Sequence, residues 1–168
     1  MAFLIGGANT LAVSYATNSQ GIFAFGYRSS TPAGYNSISN TISNTGVCSS
    51  DVGAVGTVRG DVAATEYGGD KGIFFGGSEE PYSMKNLVNN SGVVASDSST
   101  VGTARQGTRG CTYGDDKDKG LLAFGHDGSS YVNMSSKVSN SGVVSADITG
   151  VGTARGAEAC EYGGDKGI

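Results

Sequence analysis

Apolar residues along this chain gather into short runs that stop at glycine and never continue at a helical spacing. Gly72-Ile-Phe-Phe75 is followed by Gly76-Gly77, Gly21-Ile-Phe-Ala-Phe25 closes on Gly26, and a third run closes on Phe124-Gly125. Runs this short, rich in Ile and Phe and bounded by glycine, predict strands rather than helices. Tyr82-Ser-Met-Lys-Asn-Leu-Val88 alternates loosely and stops at Asn89-Asn90-Ser-Gly, where Asn and Gly accept the positive φ of a tight hairpin. Val93-Val-Ala-Ser-Asp97 reads as a third strand. The stretch from about Gly107 to Tyr113 reads as a fourth, which Asp-Lys-Gly turns back into the next apolar run. Nothing resembles an amphipathic helix, so the pattern predicts an all-β chain.

The same order of strands recurs. Asn44-Thr-Gly-Val, Asn90-Ser-Gly-Val and Asn140-Ser-Gly-Val repeat at intervals of 46 and 50 residues, as do Val55-Gly-Thr-Val-Arg59, Val101-Gly-Thr-Ala-Arg105 and Val151-Gly-Thr-Ala-Arg155. Asp51, Asp97 and Asp147 fall at one matched position, and Tyr67, Tyr113 and Tyr162 each precede an Asp-Lys-Gly turn. Units of about 48 residues with four short strands each are the pattern of a β-propeller blade. The units run approximately over 1–22 (a partial one), 23–72, 73–120 and 121–168 of a single repeat domain.

Composition narrows the function classes. Glycine contributes 29 of 168 residues and charged residues only 15%, with a formal net charge of −4. An acidic chain without a basic stripe argues against a nucleic-acid binder. No run of 18 apolar residues predicts a membrane-spanning helix, and no basic residue precedes the apolar Met1–Gly7 stretch as a secretory signal would require. The even spread of Val, Ile, Thr, Tyr and Phe argues against disorder despite the glycine. Cys48, Cys111 and Cys160 lack a Cys-x-x-Cys pair and are expected to be small buried hydrophobes. His126 is the single histidine, which leaves no His-rich metal site, and no cofactor or metal is expected.

A strand ending in Gly-Gly, a Tyr a few residues on, a middle strand, a loop to Arg and a return strand resemble the kelch motif. Ile73-Phe-Phe-Gly-Gly77, Tyr82 and Arg105 fall on its landmarks, while Tyr27 and His126 stand where the second Gly is expected and no Trp is present. The wording of the repeats also resembles repeat proteins encoded by marine bacteriophages. The resemblance implies a kelch-like β-propeller with four-stranded antiparallel blades, about 3.5 per chain. It implies a binding platform more than a catalyst. A copper oxidase also stands on a kelch-like propeller, but its site takes several histidines and a tyrosine cross-linked to cysteine, and one histidine cannot supply the pair. Glu79 and Glu80, adjacent in sequence, tend to point apart and make poor paired carboxylates for a glycosidase.

Candidate chemistry sits in the loops after each Phe-Gly, whose lengths vary while the Asn-to-Arg spacing does not. Their ligand-binding candidates are Arg28 and Tyr35, then Glu79 and Tyr82, then His126, Asp127 and Tyr131. Arg59, Arg105 and Arg155 are expected to be structural, each bonding carbonyls or a carboxylate such as the matched Asp in its own or a neighbouring unit. Asp70-Lys71, Asp118-Lys119 and Asp165-Lys166 read as solvated hairpin tips. The chain is therefore expected to be a non-enzymatic structural or binding propeller of a virion or extracellular surface, displaying variable loops; the alternative is a lectin-like propeller with one shallow carbohydrate site per blade. An unclosed ring predicts a second copy completing six or seven blades, or further blades in a longer chain. A glycan or host-surface protein is the expected ligand, with neither nucleic acid nor membrane insertion.

Overall fold

The computed structural model describes residues 19–29, 33–53, 55–78 and 82–168. All regular elements among them are β-strands, and no helix occurs. Strands β5 (Ala63–Tyr67), β6 (Lys71–Phe75), β7 (Met84–Val88) and β8 (Ser98–Ser99) form a four-stranded antiparallel sheet in that order. Before it, β1 (Gly21–Ala24) pairs with β4 (Ser39–Ile42), and β2 (Tyr27–Arg28) with β3 (Gly34–Tyr35). After it come the three-stranded sheet of β9 (Arg109–Tyr113), β10 (Lys119–Ala123) and β11 (Ser135–Val138), then the pair β12 (Glu161–Tyr162) and β13 (Lys166–Gly167). The expected third strand of each unit survives mainly as single bridges, Ile42 to Cys48, Val88 to Val94 and Val138 to Val144.

One pairing differs from a simple repeat-by-repeat reading. The return strand at 109–113 is hydrogen-bonded to β10, the apolar strand that follows it, as β5 is to β6. The tight Asp-Lys-Gly turn closes that hairpin locally, whereas nine residues separate β8 from β9, and the shorter connection is the easier to close. Tyr67 pairs with Lys71, Tyr113 with Lys119 and Tyr162 with Lys166, so the register is the same although the middle turn is two residues longer.

The continuous apolar run of β6 follows from burial on both faces. Ile73 and Phe75 (each 1% exposed) pack with Ala63, Tyr67, Leu122, Val138 and Val144 toward the third sheet, while Phe74 packs with Val88 and Val94 against Ile22, Ala24 and Phe25 of the first. Each such Phe contributes about 1.5–3 kcal/mol by leaving water. Between the second and third sheets, Gly110 of β9 lies so close to β5 that a Cβ there would stand 2.5 Å from the Ala64 carbonyl oxygen.

Hydrogen bonds also correct the register expected between the units. Gly76 N donates to Met84 O and Gly77 N to Arg105 O; the matching donors in the first unit are Phe25 N, to Ile38 O, and Gly26 N, to Arg59 O, and in the third Phe124 N, to Met134 O. Phe25 and Phe124 therefore stand at the position of Gly76, not ahead of it. Tyr27 and His126 correspond to Ser78, each lying just beyond the glycine pair. Phe25 (φ 66°) and Phe124 (φ 59°) take the left-handed conformation that Gly76 takes at φ 67°. For a non-glycine residue that costs about 1–2 kcal/mol.

Candidate functional site

The three matched arginines do not share one environment. Arg59 and Arg105 are fully buried, and each leaves its own repeat to enter the sheet that follows. Arg59 Nε donates to Gly76 O at 2.8 Å, Nη2 donates to Asn86 Oδ1, and Nη1 lies 3.6 Å from Asp97 Oδ1. Arg105 donates to Met134 O at 3.0 Å and Ser136 Oγ at 2.7 Å, and lies 3.6 Å from Asp147 Oδ1. Arg155 is exposed and donates to Thr153 O at 3.1 Å. Each guanidinium lies over a ring: Arg59 over Phe25 at 4.1 Å, Arg105 over Phe75 at 5.5 Å and Arg155 over Phe124 at 4.4 Å. Such contacts offset part of the strain at Phe25 and Phe124.

The residues before the arginine complete a latch. Thr57 gives both its N–H and its hydroxyl to Asp97 Oδ2 at 2.8 Å, and Thr103 N donates to Asp147 Oδ2 at 2.7 Å. The preceding glycines, Gly56 (φ +82°) and Gly102 (φ +112°), let the carboxylate come close: a Cβ on Gly102 would stand 2.8 Å from Asp147 Oδ1. Burial pulls the Arg59 and Arg105 guanidinium values down, opposed by the charges of Asp97 and Asp147. Partial burial pushes the two carboxyls up. Donors outweigh it, Asn86 and Thr57 on Asp97 and Thr103 and Ser136 on Asp147, and with the arginines they hold both below the usual carboxylate range. The matched Asn40, Asn86 and Ser136, which receive or flank this contact, were a signal in the repeat spacing that attention to the arginines alone passes over.

Tyr35, His126, Asp127 and Tyr131 find partners within their own loops. Tyr27 and Tyr35 meet edge to face at 5.5 Å, and His126 and Tyr131 at 5.3 Å. His126 Nδ1 accepts from Gly128 N at 3.0 Å. Asp127 Oδ1 accepts the N–H groups of Ser129 and Ser130, each at 2.8 Å, and the Ser130 bond above all holds its carboxyl below the ordinary value. Tyr82 bridges to Arg105 through the backbone, Arg28 lies exposed in β2, and Glu79 lies outside the described residues. The cysteine expectation needs correction: Cys111 is buried, but Cys48, which makes only a single bridge, and Cys160, just ahead of the two-residue β12, are exposed.

A cavity of about 350 Å³ opens where β1, β5, β6 and β9 come together. Its apolar wall is Ile22, Ile73, Phe74 and Val88, and its polar wall includes Glu66, Asp70, Lys71, Thr112 and Glu161. Asp70 pairs with Lys71 at 2.6 Å, while Glu161 accepts from Thr112 and pairs with Lys117 at 2.9 Å. The Glu66 carboxylate has no hydrogen bond or ion pair among the described residues. Cys111, on the same wall, has its thiol pushed up by burial and by the nearby Glu161 and Cys160, so it is an uncharged thiol at neutral pH.

Together these features define an all-β repeat protein whose successive sheets are latched by arginine, with a small cavity at their junction. No family model matches the chain, and no curated protein matches it either. Among solved structures the chain is similar to a fungal alcohol oxidase of the AA5 family, in complex with copper, at 12% identity and a TM-score of 0.51 over 76% of this chain. The chain spans 28% of that protein's length. At this identity the likeness shows the fold alone. It still corrects the expectation of a non-enzymatic, loop-displaying structural propeller, with its lectin-like alternative: the solved fold resembled is that of an enzyme, and repeat architecture by itself gives no ground for a role without chemistry. The copper belongs to that oxidase. Among the described residues of this chain no three His, Cys, Asp or Glu side chains gather as a metal site, and its single histidine is held in the third loop, so these residues do not fit a copper centre.

Proposed function

We propose that the chain is a run of kelch-like propeller blades and that the acidic cavity between its sheets binds a small molecule with an apolar body and a cationic amine head. The four-stranded order β5-β6-β7-β8 and the fold likeness support the blade reading. The observation that carries the ligand is Glu66. Of the three carboxylates in the cavity lining, Asp70 and Glu161 are ion-paired with lysines, whereas Glu66, beside an apolar wall, has no ion pair and only the longer-range charge of Lys117, which Glu161 already holds. A carboxylate next to Phe74, Ile22 and Val88 suits an ammonium group joined to a hydrocarbon, and the volume falls at the lower end of small-molecule sites.

Titration calorimetry with a series of short alkyl and arylalkyl amines, set against their neutral alcohol analogues, tests this. Amines bind and the alcohols bind at least about tenfold more weakly, and Glu66→Gln removes the difference. Glu66 is exposed on β5, so the variant keeps the wild-type unfolding midpoint. Equal affinity for amine and alcohol, or undiminished amine binding by Glu66→Gln, overturns the proposal.

A further inference from the structure

We propose that Lys117 fills a second cation position of the cavity, on Glu161, and so sets the site to take a ligand with one ammonium head rather than two. The inference rests on the amine reading above and adds which amines the site refuses.

Lys117 comes from the one irregular turn. Tyr67-Gly-Gly-Asp-Lys71 and Tyr162-Gly-Gly-Asp-Lys166 carry a second glycine before their Asp, and in the middle turn Asp115-Asp116-Lys117 stand in its place. Gly69 (φ 76°) and Gly164 (φ 84°) take the left-handed conformation there, and Lys117 takes it at φ 49°. A side chain in that region is disfavoured and persists only where its surroundings fix it. Lys117 N donates to Gly114 O at 2.9 Å, and the turn is pinned on both sides, by Gly68 N to Asp118 O and by Gly114 N to Asp165 O, each at 2.7 Å. The regular lysine of each turn is taken up by the Asp before it: Lys71 by Asp70, Lys119 by Asp118 and Lys166 by Asp165. Lys117 is the extra cation, and it reaches out of its own turn.

Its target belongs to the cavity wall. Lys117 Nζ donates to Glu161 Oε2 at 2.9 Å, while the other oxygen of Glu161 accepts from Thr112 of the same wall. Glu161 above all, and Glu66 at longer range, hold the ammonium above its ordinary value, so it stays charged at neutral pH. The lysine stem and head are an alkylammonium. The chain thus places on Glu161 the chemistry that the cavity reading assigns to a ligand on Glu66. Lys117 and Glu161 remain 49% and 36% exposed, so the pair is weak enough to be exchanged. A one-headed amine needs Glu66 alone, whereas the second head of a diamine has to displace Lys117.

Titration calorimetry of the full chain with alkyl monoamines and with alkane diamines of graded length tests the inference. Wild type binds the best diamine within about twofold of the matched monoamine. Lys117→Met and Lys117→Gly bind that diamine at least about fivefold more tightly than wild type does, and gain about twofold at most for the monoamine. Both keep the wild-type circular dichroism, because Lys117 is exposed and the glycine suits its backbone conformation. Lys117→Arg, which keeps a cation on Glu161, behaves as wild type, and adding Glu161→Gln to Lys117→Met cancels the diamine gain. Unchanged diamine affinity in the Met and Gly variants overturns the inference. So does an equal gain for monoamine and diamine, or an Arg variant that behaves like Met. Wild-type monoamine binding that still depends on Glu66, with no diamine gain, confines the failure to Lys117. Absence of amine binding in wild type and variants alike overturns the cavity reading and this inference together.

Discussion

Replacing Arg105 and Arg155 by alanine perturbs the same motif in two environments. Arg105 is 0% exposed and makes two good charge-assisted bonds, to Met134 O at 3.0 Å and Ser136 Oγ at 2.7 Å. Asp147, only 22% exposed, lies 3.6 Å away and would keep its charge without that cation. Removing one member of a buried, hydrogen-bonded ion pair costs about 3–5 kcal/mol. Arg155 is exposed, so its loss costs at most about 1 kcal/mol. Small domains hold only about 5–15 kcal/mol, so Arg105→Ala falls close to unfolding. Arg105→Met, which keeps the stem over Phe75, and the double variant Arg105→Met/Asp147→Asn serve as folded references. The double variant should recover part of the loss, because the uncompensated carboxylate is gone. Urea unfolding, followed at concentrations below any association, reads the midpoints and slopes. A cost below about 1 kcal/mol at Arg105, or equal costs at Arg105 and Arg155, would refute the latch energetics.

Stability should also fall on the acid side. The carboxyls of Asp97 and Asp147 lie below their unfolded values, so the unfolded chain takes up protons first: the stabilisation is whole above the ordinary carboxylate range near about pH 4 and is lost as pH falls through it and beyond. The variant Asp97→Asn/Asp147→Asn should show a flatter acid limb in urea midpoints measured against pH. Gly110→Ala, forcing a methyl to 2.5 Å from the Ala64 carbonyl, should cost about 1–3 kcal/mol by thermal unfolding, and an unchanged midpoint would mean the second and third sheets are not held as described. Thiol titration under native conditions should give two fast groups, Cys48 and Cys160, and one slow, Cys111. Equal rates for all three would contradict the burial of Cys111.

Strand positions were legible because glycine stops the apolar runs so sharply, and the two-sided burial of Ile73-Phe74-Phe75 shows in a run with no polar alternation. What a strand's own pattern does not state is its neighbour. The 109–113 strand reads correctly as a strand, yet its partner follows from turn length, a competition between two connections. The Phe-Gly identity at 25–26 and 124–125 hid the true register, since only the positive φ of the two phenylalanines shows that they occupy a glycine's place. Constant spacing marked the arginines as structural but carried no direction, and whether Arg59 turns toward the preceding or the following sheet is settled by Asn86 and Asp97 in three dimensions. The cavity was invisible for a related reason. Its walls are drawn from separate repeats, and none of its residues is unusual where it stands in the chain.

The turn between β9 and β10 carries two more residues than the one between β5 and β6, and the strands on either side keep the same register. Lengthening a loop adds only a small closure entropy, so this hairpin has already passed the trial that a protein engineer would set it. Residues 115 and 116 thus mark a splice point. A foreign peptide inserted between them would be held at a hairpin tip, anchored by Tyr113 and Lys119, while the buried strands and their arginine latches carry on undisturbed.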